Sequence, residues 1–202
     1  LQMALSETVN ESFNMLTVDG DTSTNDMVAI IANGLAKNTE VVELCPDYYV
    51  FQGALLHVLV GLTRMIATDG EGATKLLLIE VINSDTALNA RLIAKSVANS
   101  NLVKTAMYGN DANWGRILAA AGYSGADFDP DKVSIFFASE IGREEVACKG
   151  ANTPFNEEKA KAVLQASEVR IIIDLNCGNM KATAYTCDLS EKYIEINAAY
   201  RT

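Results

Sequence analysis

Hydrophobic residues near the start of the chain recur at the three- and four-residue spacing of an α-helix. This spacing predicts an amphipathic helix over residues 1–16, which is followed by a polar stretch, residues 17–26. A second helix is predicted beyond that stretch, with Ser23 or Thr24 as its cap. The apolar faces of the two helices comprise Leu1, Leu5, Val9, Phe13 and Leu16 in the first, and Met27, Ile30, Ile31 and Leu35 in the second.

Residues 48–67 are almost continuously apolar, and a run of that length is long enough to cross a membrane. Gln52, His57 and Arg64 interrupt it, however, and no aromatic belt or basic flank accompanies it. We therefore predict a buried core helix and no membrane association. His57 is the only histidine in the chain, and we expect it to be a hydrogen-bonded residue of the core or of the helix face, not a ligand.

Helices and strands mix in the remainder of the chain. Helices are predicted from Ser84, as a cap, to about Ala98, then over residues 114–121, and again after the cap Asn156. The last ten residues, 193–202, stay apolar nearly to the end and are expected to dock against the body of the protein. Strands are predicted at residues 76–82, 102–107, 133–137, 169–175 and 181–187.

This order of elements is mixed α/β, with the strands grouped toward the C-terminal half. It favours a layered α/β sandwich over a doubly wound parallel sheet. The sequence contains no repeat, low-complexity segment or linker. We therefore treat residues 1–202 as one unit, helix-rich over 1–125 and strand-rich over 126–202.

Composition narrows the class of protein. The 202 residues are 49% hydrophobic and 21% charged, which is typical of a soluble globular chain, and the net charge of −10 argues against a nucleic-acid partner. An acidic chain suits cationic small molecules as ligands. Because the sequence has no Cys-x-x-Cys pair and one histidine, a zinc site is not expected. The four cysteines are expected to be reduced thiols of a cytoplasmic protein, and they are Cys45, Cys148, Cys177 and Cys187.

The acidic stretch after residue 18 invites a calcium interpretation. Asp19, Asp21 and Ser23 occupy positions one, three and five of an EF-hand loop. Positions six and twelve of that loop need glycine and glutamate, but Thr24 and Ile30 stand there. The sequence therefore excludes an EF-hand.

Residues 69–75 (DGEGATK) place one carboxylate, that of Glu71, between two glycines and directly before the predicted strand 76–82. Glycines let a backbone turn sharply and approach a ligand closely, and loops at strand ends often carry sites. Taken alone, the stretch favours a tight turn with a solvated glutamate. The glycines are not followed by the Lys-Ser or Lys-Thr of a phosphate loop, and a single histidine makes a histidine-based triad unlikely to be the chemistry here.

Four motifs, in order along the whole chain, resemble those of the ornithine acetyltransferase (bifunctional glutamate N-acetyltransferase) family. They are residues 17–26 (TVDGDTSTND), 69–75 (DGEGATK), 99–106 (NSNLVKTA) and 113–125 (NWGRILAAAGYSG). The C-terminal segments also look like those of this family, and they are residues 186–189 (TCDL), 196–198 (INA) and 200–202 (YRT).

The resemblance implies a precursor that cuts itself into an α chain and a β chain and exposes a threonine at the start of the β chain. That threonine is the nucleophile, which takes an acetyl group from N-acetylornithine and passes it to glutamate. The implied fold is a layered α/β/β/α sandwich built from both chains, and the implied assembly is a cytoplasmic oligomer of αβ pairs such as a heterotetramer. No cofactor is implied, although some members also use acetyl-CoA as acetyl donor.

This sequence resembles the β chain, with the nucleophilic threonine expected upstream of Leu1 and the oxyanion-hole residues expected on the α chain. No catalytic residue is therefore assigned within residues 1–202. The resemblance implies substrate contacts for Glu71, Asn197 and Thr202. A carboxylate between glycines suits the ammonium groups of ornithine, Asn197 both donates and accepts, and Thr202 offers a hydroxyl and the terminal carboxylate.

Two alternatives stay open at this point. One is a sibling enzyme of the same superfamily, an acyltransferase or aminopeptidase that acts on another amine or peptide. The other is a non-catalytic acidic binding subunit. We expect residues 17–26 to form local hydrogen bonds within their own loop and not to contact substrate. Trp114 and Arg116 are treated as fold residues that also suit a subunit contact.

Overall fold

The structure, a computed structural model, describes residues 1–41 and 45–199. Within them, one six-stranded sheet has the strand order β4-β3-β2-β5-β1-β6. The strands are β1 (Leu76–Ser84), β2 (Ser134–Ser139), β3 (Gly142–Cys148), β4 (Ala151–Asn152), β5 (Glu168–Asp174) and β6 (Met180–Cys187). The α-helices are α1 (Gln2–Asn10), α2 (Pro46–Thr68), α3 (Ala87–Asn99), α4 (Asn101–Tyr108), α5 (Trp114–Gly122), α6 (Glu157–Leu164) and α7 (Glu191–Ala199).

The sheet confirms the mixed α/β class. β1 runs parallel to β5 and antiparallel to β6, and β2 joins β5 to β3 through antiparallel pairings. Branched apolar side chains fill β1 and β5, and alternate members such as Ile79 and Ile171 are completely buried. The prediction that one unit spans the chain, and the second sheet expected from an α chain, stay predictions.

Helix α3 lies against β1 and β6, and helical spacing accounts for its buried face. Its cap is Thr86, whose hydroxyl accepts the amide of Asn89 at 3.1 Å, so the prediction of Ser84 as the cap is wrong. Ser84 is instead the last residue of β1. The buried residues of α3 are Ala90, Ile93, Ala94, Val97 and Ala98.

Helix α6 begins as predicted. The side chain of Asn156 accepts the amide of Lys159 at 2.9 Å, and the buried residues are Ala160, Val163 and Leu164. Strand β3 was not predicted, because the polar run Arg143-Glu144-Glu145 obscures its alternation.

Residues 102–107 form helix α4, so the predicted strand is wrong. The hydroxyl of Ser100 accepts the amide of Val103 at 3.4 Å and caps this helix. A short apolar run fits both helical and strand periods, and here the cap decides between them. The buried residues recur at helical spacing and are Val103, Lys104, Ala106 and Met107.

The first predicted helix is shorter than expected. α1 ends at Asn10, and a separate 3-10 turn covers Phe13–Met15. The hydroxyl of Ser12 donates to the carbonyl of Thr8 at 2.7 Å, a local polar contact that competes with helix continuation.

The helix predicted after residues 17–26 is wrong. Between residues 26 and 33 the backbone is neither helical nor paired in the sheet. Met27, Ile31 and Leu35 are 84%, 91% and 75% exposed. Because nothing in the described chain covers these apolar side chains, no packing stabilises a helix there.

Helix α2 confirms the predicted helix but not its burial. A stripe of its residues contacts α1, β1 and β6, and the buried members are Tyr48, Leu59, Thr63 and Ala67. By length and composition alone α2 is long and apolar enough to cross a membrane. His57 lies exposed on the face of this helix, which is one of its two predicted places, and the hydrogen bond expected of it is not found among the described residues. The large exposed apolar side chains of α2 are Tyr49, Val50, Val58, Leu62, Met65 and Ile66.

Candidate substrate-binding site

The loop that carries Glu71 joins α2 to β1, and its two glycines allow other segments of the chain to lie close against it. Gly72 has a φ of +69°, and a Cβ there would lie 2.6 Å from the amide nitrogen of Tyr193. A Cβ on Gly70 would lie 2.9 Å from Sγ of Cys187. At position 72, only glycine adopts the positive φ and leaves room for the Tyr193 amide without displacing the backbone. The close approach predicted from these glycines is therefore made by the chain itself.

Buried polar side chains fasten this loop to the segment between β6 and α7. The carboxylate of Asp188, which is 2% exposed, accepts the amides of Thr74 at 2.7 Å and Lys75 at 3.0 Å, and also the hydroxyl of Thr74. The hydroxyl of Ser190 donates to the carbonyl of Gly72 at 2.5 Å. Several hydrogen bonds to one buried carboxylate hold the backbone in a single arrangement.

The predicted residues Glu71 and Asn197 lie in contact. Nδ2 of Asn197 donates to Oε2 of Glu71 at 2.6 Å and to the carbonyl of Tyr193 at 3.0 Å. Both side chains belong to exposed residues, so an incoming small molecule has access to them. The third predicted residue, Thr202, lies outside the described residues.

Tyr193 connects α7 to the polar stretch near the start of the chain. Its hydroxyl donates to Oδ2 of Asp19 at 2.9 Å. Burial, the hydrogen bond to Asp19 and the negative charges of Asp19, Asp21 and Glu71 raise the pKa of Tyr193 to about 12. Three carboxylates therefore influence one phenol, and together they make this corner of the molecule strongly acidic.

The segment from Thr17 to Asp21, called loop 17–21 below, is ordered by hydrogen bonds. The hydroxyl of Thr17 donates to Oδ1 of Asn99 at 2.5 Å, and the amide of Asp21 donates to Oδ1 of Asp19 at 2.9 Å. Farther along, the amide of Asn25 donates to the hydroxyl of Ser23 at 3.3 Å. The predicted local hydrogen bonds are confirmed by the Asp21–Asp19 and Asn25–Ser23 contacts, whereas the expected lack of substrate contact stays a prediction.

The tail reaches the site through polar contacts. None of the side chains of α7 is buried, and Ile194 is 67% exposed. The expectation of a docked tail therefore holds for its hydrogen bonds to Glu71 and Asp19, but the apolar side chains are not what docks it.

Comparison with known proteins identifies the family of this chain. The model of the ArgJ family matches residues 1–202. The chain belongs to the ArgJ family. Proteins named arginine biosynthesis bifunctional protein ArgJ from Thermotoga neapolitana and from Caldanaerobacter subterraneus subsp. tengcongensis are 51% and 52% identical to it over 202 residues. Those residues are 100% of this chain but 51% and 50% of the two relatives, so the chain spans about half the length of the curated relatives it matches.

A solved structure of an ArgJ relative shares the fold. The crystal structure of the arginine biosynthesis bifunctional protein argJ from Bacillus halodurans is 44% identical to this chain, with a TM-score of 0.92. The match covers 98% of this chain and 92% of that chain. The suspected family and the α/β fold class are thereby confirmed, while the substrate contacts of Glu71, Asn197 and Thr202 stay predictions.

The sequence did not predict that two further side chains belong to the candidate site. Tyr193 and Asp19 form a hydrogen bond across 174 positions of sequence. Nothing in an apolar tail distinguishes a site tyrosine from a packing tyrosine. The only available signal was that Asp19 lies in one family motif and Tyr193 lies close to another.

A buried lysine lies beneath the candidate site. Lys104 is 1% exposed, and burial lowers the pKa of its ammonium, although the neighbouring Cys187, Asp188 and Asp19 counteract this. Burial likewise raises the pKa of the Cys187 thiol. That thiol is consequently a poor nucleophile at neutral pH.

The site offers carboxylates and amides but no evident metal centre. Within residues 1–41 and 45–199, no group of three or more His, Cys, Asp or Glu side chains is arranged to hold a metal ion. All four cysteines are free thiols in the structure. The chemistry available to these residues is the binding of a cationic, hydrogen-bonding molecule.

Proposed function

We propose that this chain is the β chain of an ArgJ enzyme that transfers an acetyl group from N-acetylornithine to glutamate. The observation that carries the proposal is the 2.6 Å hydrogen bond between Asn197 and Glu71. It joins two of the three residues to which the family resemblance gives substrate contacts. They are 126 positions apart in sequence, so their contact supports a shared site.

The proposed reaction has two halves. In the first, the hydroxyl oxygen of a threonine upstream of Leu1 attacks the acetyl carbonyl of N-acetylornithine, the C–N bond breaks, and ornithine leaves with the proton. In the second, the amine of glutamate attacks the acetyl-threonine ester, the C–O bond breaks, and N-acetylglutamate leaves as the hydroxyl regains its proton. The α-amine of that threonine serves as the base, a role that needs no histidine.

The residues of this chain bind and orient the substrate. A carboxylate such as Glu71 has acceptor capacity for both Asn197 and an ornithine ammonium, and a charge-assisted hydrogen bond of this kind is short and strong. Asp19 and Asp21 add negative potential that attracts a cationic amino acid. Asn197, held by Glu71, can present its carbonyl oxygen to a substrate amine.

The proposed partner is the α chain of the same precursor, in an oligomer of αβ pairs such as a heterotetramer. The exposed apolar residues of α2 and of residues 27–35 support this partner, because a large exposed apolar surface typically marks an interaction site. The chain also spans about half of its relatives' length, and in this proposal the counterpart of the relatives' other half covers that surface. We propose no membrane or nucleic-acid partner and a cytoplasmic location.

No cofactor enters the proposed reaction. Acetyl-CoA is the one further acetyl donor that the proposal allows, and it would act as a substrate at the same threonine. Its acetyl group would pass to glutamate through the same ester.

An intact-mass measurement tests the proposal. The full-length gene product is purified, and its mass spectrum is recorded before and after addition of N-acetylornithine. We expect two chains, the second beginning at a threonine, and a gain of one acetyl group on that second chain. A single uncut chain that gains no acetyl group would contradict the proposal.

The same sample separates the two alternatives. Faster acylation by another amide or peptide than by N-acetylornithine would identify a sibling acyltransferase or aminopeptidase. Tight binding of ornithine without any acyl adduct would identify a non-catalytic binding subunit.

A further inference from the structure

The buried ammonium of Lys104 has no part in the proposed reaction, yet it joins two segments that form the site. Its Nζ donates to the carbonyl of Val18 at 2.5 Å, to the carbonyl of Cys187 at 2.6 Å and to the hydroxyl of Thr186 at 3.0 Å. An ammonium has three donors and no acceptor, so these three oxygens satisfy it completely.

This arrangement is a costly way to stabilise a fold. Burying a cation costs free energy, and within the described residues no carboxylate forms an ion pair with Lys104. Asp188 and Asp19 contribute attraction at longer range. An apolar side chain would fill the volume of Lys104 more cheaply, but it would leave the carbonyls of Val18 and Cys187 without this donor.

Both carbonyls belong to residues on which the Glu71 loop rests. A Cβ built on Gly70 would lie 2.9 Å from Sγ of Cys187 and 3.1 Å from Cγ1 of Val18, so Gly70 sits directly on these two side chains. Gly70 precedes Glu71 in the chain. Val18 precedes Asp19, which accepts the hydrogen bond of Tyr193.

We infer that Lys104 is a positioning residue, whose ammonium holds loop 17–21 and the end of β6 together as the support on which the Glu71 loop is placed. The inference rests on the proposed function, because it assigns Lys104 a role in placing the carboxylates that receive the substrate. Lys104 acts through Val18 and Cys187 and touches no substrate.

Lys75 provides a matched control. It is also buried, at 9% exposed, and its Nζ donates to the carbonyl of Met107 at 2.7 Å and to Oδ1 of Asn110 at 2.5 Å. Its ammonium therefore stabilises the C-terminal end of α4 and reaches neither loop 17–21 nor Gly70. Replacing either lysine by methionine removes one buried ammonium and keeps the backbone amide. Lys75→Met therefore retains the hydrogen bond from residue 75 to Asp188 that fastens the Glu71 loop, whereas Lys104→Met removes the donor shared by Val18 and Cys187.

The experiment compares Lys104→Met and Lys75→Met in the full-length gene product. Hydrogen–deuterium exchange with mass spectrometry is read on peptides that cover residues 17–21 and 69–73, and acetyl transfer is measured against N-acetylornithine concentration. For Lys104→Met we expect faster exchange in both peptides and a KM raised by about tenfold or more, with a smaller change in kcat, because a displaced binding group weakens positioning. For Lys75→Met the peptide that covers residues 17–21 should exchange as in the unsubstituted protein, because the Lys75 ammonium donates to Met107 and Asn110 and not to loop 17–21.

Two outcomes would overturn the inference. One is a folded Lys104→Met protein whose two peptides exchange at the unsubstituted rate. The other is the same increase in exchange for both variants, which would mean that any buried lysine has this effect. Exchange is read without catalysis, so a failure of acetyl transfer in the unsubstituted enzyme would count against the proposed function and leave the test of Lys104 intact.

A measurement on the unsubstituted protein covers the case in which Lys104→Met does not fold. The amides of Thr17 and Ala73 donate to the carbonyls of Tyr185 and Gly70, and the amide of Leu189 donates to the carbonyl of Lys104. In low denaturant, hydrogen exchange should show these three amides opening in one step. Opening of Thr17 and Ala73 at clearly lower denaturant than Leu189 would contradict a shared support.

Discussion

Asn197 donates a 2.6 Å hydrogen bond to Glu71 from the last turns of the C-terminal helix. The donor amide holds one carboxylate oxygen, so the side chain on α7 orients the acid that the proposed substrate needs. The contact depends on the glycine at position 72, which lets the start of α7 lie against the loop. Glu71 and Asn197 are therefore expected to behave as a unit.

Replacing Glu71 by glutamine removes the negative charge and keeps the shape. We expect the KM for N-acetylornithine in the complete enzyme to rise about tenfold to a hundredfold, since a hydrogen bond to a charged group contributes about 1.5–3 kcal/mol. Steady-state kinetics measures the change. Glu140→Gln, in an exposed turn between β2 and β3, is the matched control and should leave KM unchanged. Unchanged kinetics in Glu71→Gln would remove Glu71 from the site.

Exchanging the two groups tests their coupling. Asn197→Asp alone places a second carboxylate against Glu71 and should loosen α7 by like-charge repulsion. The double variant Glu71→Gln with Asn197→Asp restores one donor and one acceptor, so exchange protection of residues 191–199 should recover. Activity should stay low, because the carboxylate now stands on the helix. Additive effects of the two substitutions on exchange would show that the side chains are independent.

Alanine at position 72 tests the close approach of α7. Gly72→Ala combines a positive φ with a Cβ 2.6 Å from the Tyr193 amide, and we expect it to cost roughly 1–3 kcal/mol in the free energy of unfolding. Gly122→Ala, at the end of α5 with no atom near its Cβ, should change that free energy by about 1 kcal/mol or less. Chemical denaturation of both variants measures the difference. Equal effects would mean that α7 does not rest on Gly72.

The raised pKa of Tyr193 predicts a pH dependence at alkaline pH. Its pKa is about 12 in the folded protein against an ordinary value of 10.0, so the neutral phenol is favoured by folding. That contribution to stability is complete below pH 10 and is lost as the pH rises from 10 toward 12. The stability advantage of the unsubstituted protein over Tyr193→Phe should therefore shrink across this window. Denaturation curves of both proteins at pH 8, about 10 and about 11 measure it, and a constant difference would contradict the Asp19 contact.

The exposed apolar surface predicts the consequence of adding charge. Met65→Glu on α2 and Ile31→Glu in the segment 27–35 should weaken association with the proposed α chain by about 1–3 kcal/mol each, because each places an unpaired charge in the proposed interface. Ile141→Glu, at a 60% exposed position in the β2–β3 turn, is the control. Co-purification of the two halves from the full-length gene, by size-exclusion chromatography, is the measurement. Undisturbed association in both variants would remove this surface from the interface.

The sequence alone predicted an element correctly where one physical signal dominated. The short apolar run of β1 and the β-branched run of β5 predict buried strands, because such short runs favour burial and β-branched side chains favour an extended backbone. Asn156 predicts the start of α6, because its side chain accepts a free backbone amide of the first turn. The motifs around residues 17–26 and 69–75 were also sufficient for the family, whose model matches the whole chain.

Tertiary structure decided the remainder, because the deciding partners are distant in sequence. The 102–107 run fits strand and helix alike, and the cap Ser100 with the buried contacts of Val103 and Met107 selects the helix. The exposure of α2 and of residues 27–35 cannot be read from their composition, since an apolar side chain favours burial without specifying which surface covers it. Asn197 pairs with Glu71, and Tyr193 with Asp19, only in the folded chain. There the end of β6 and the start of α7 lie against a loop whose two glycines leave room for them.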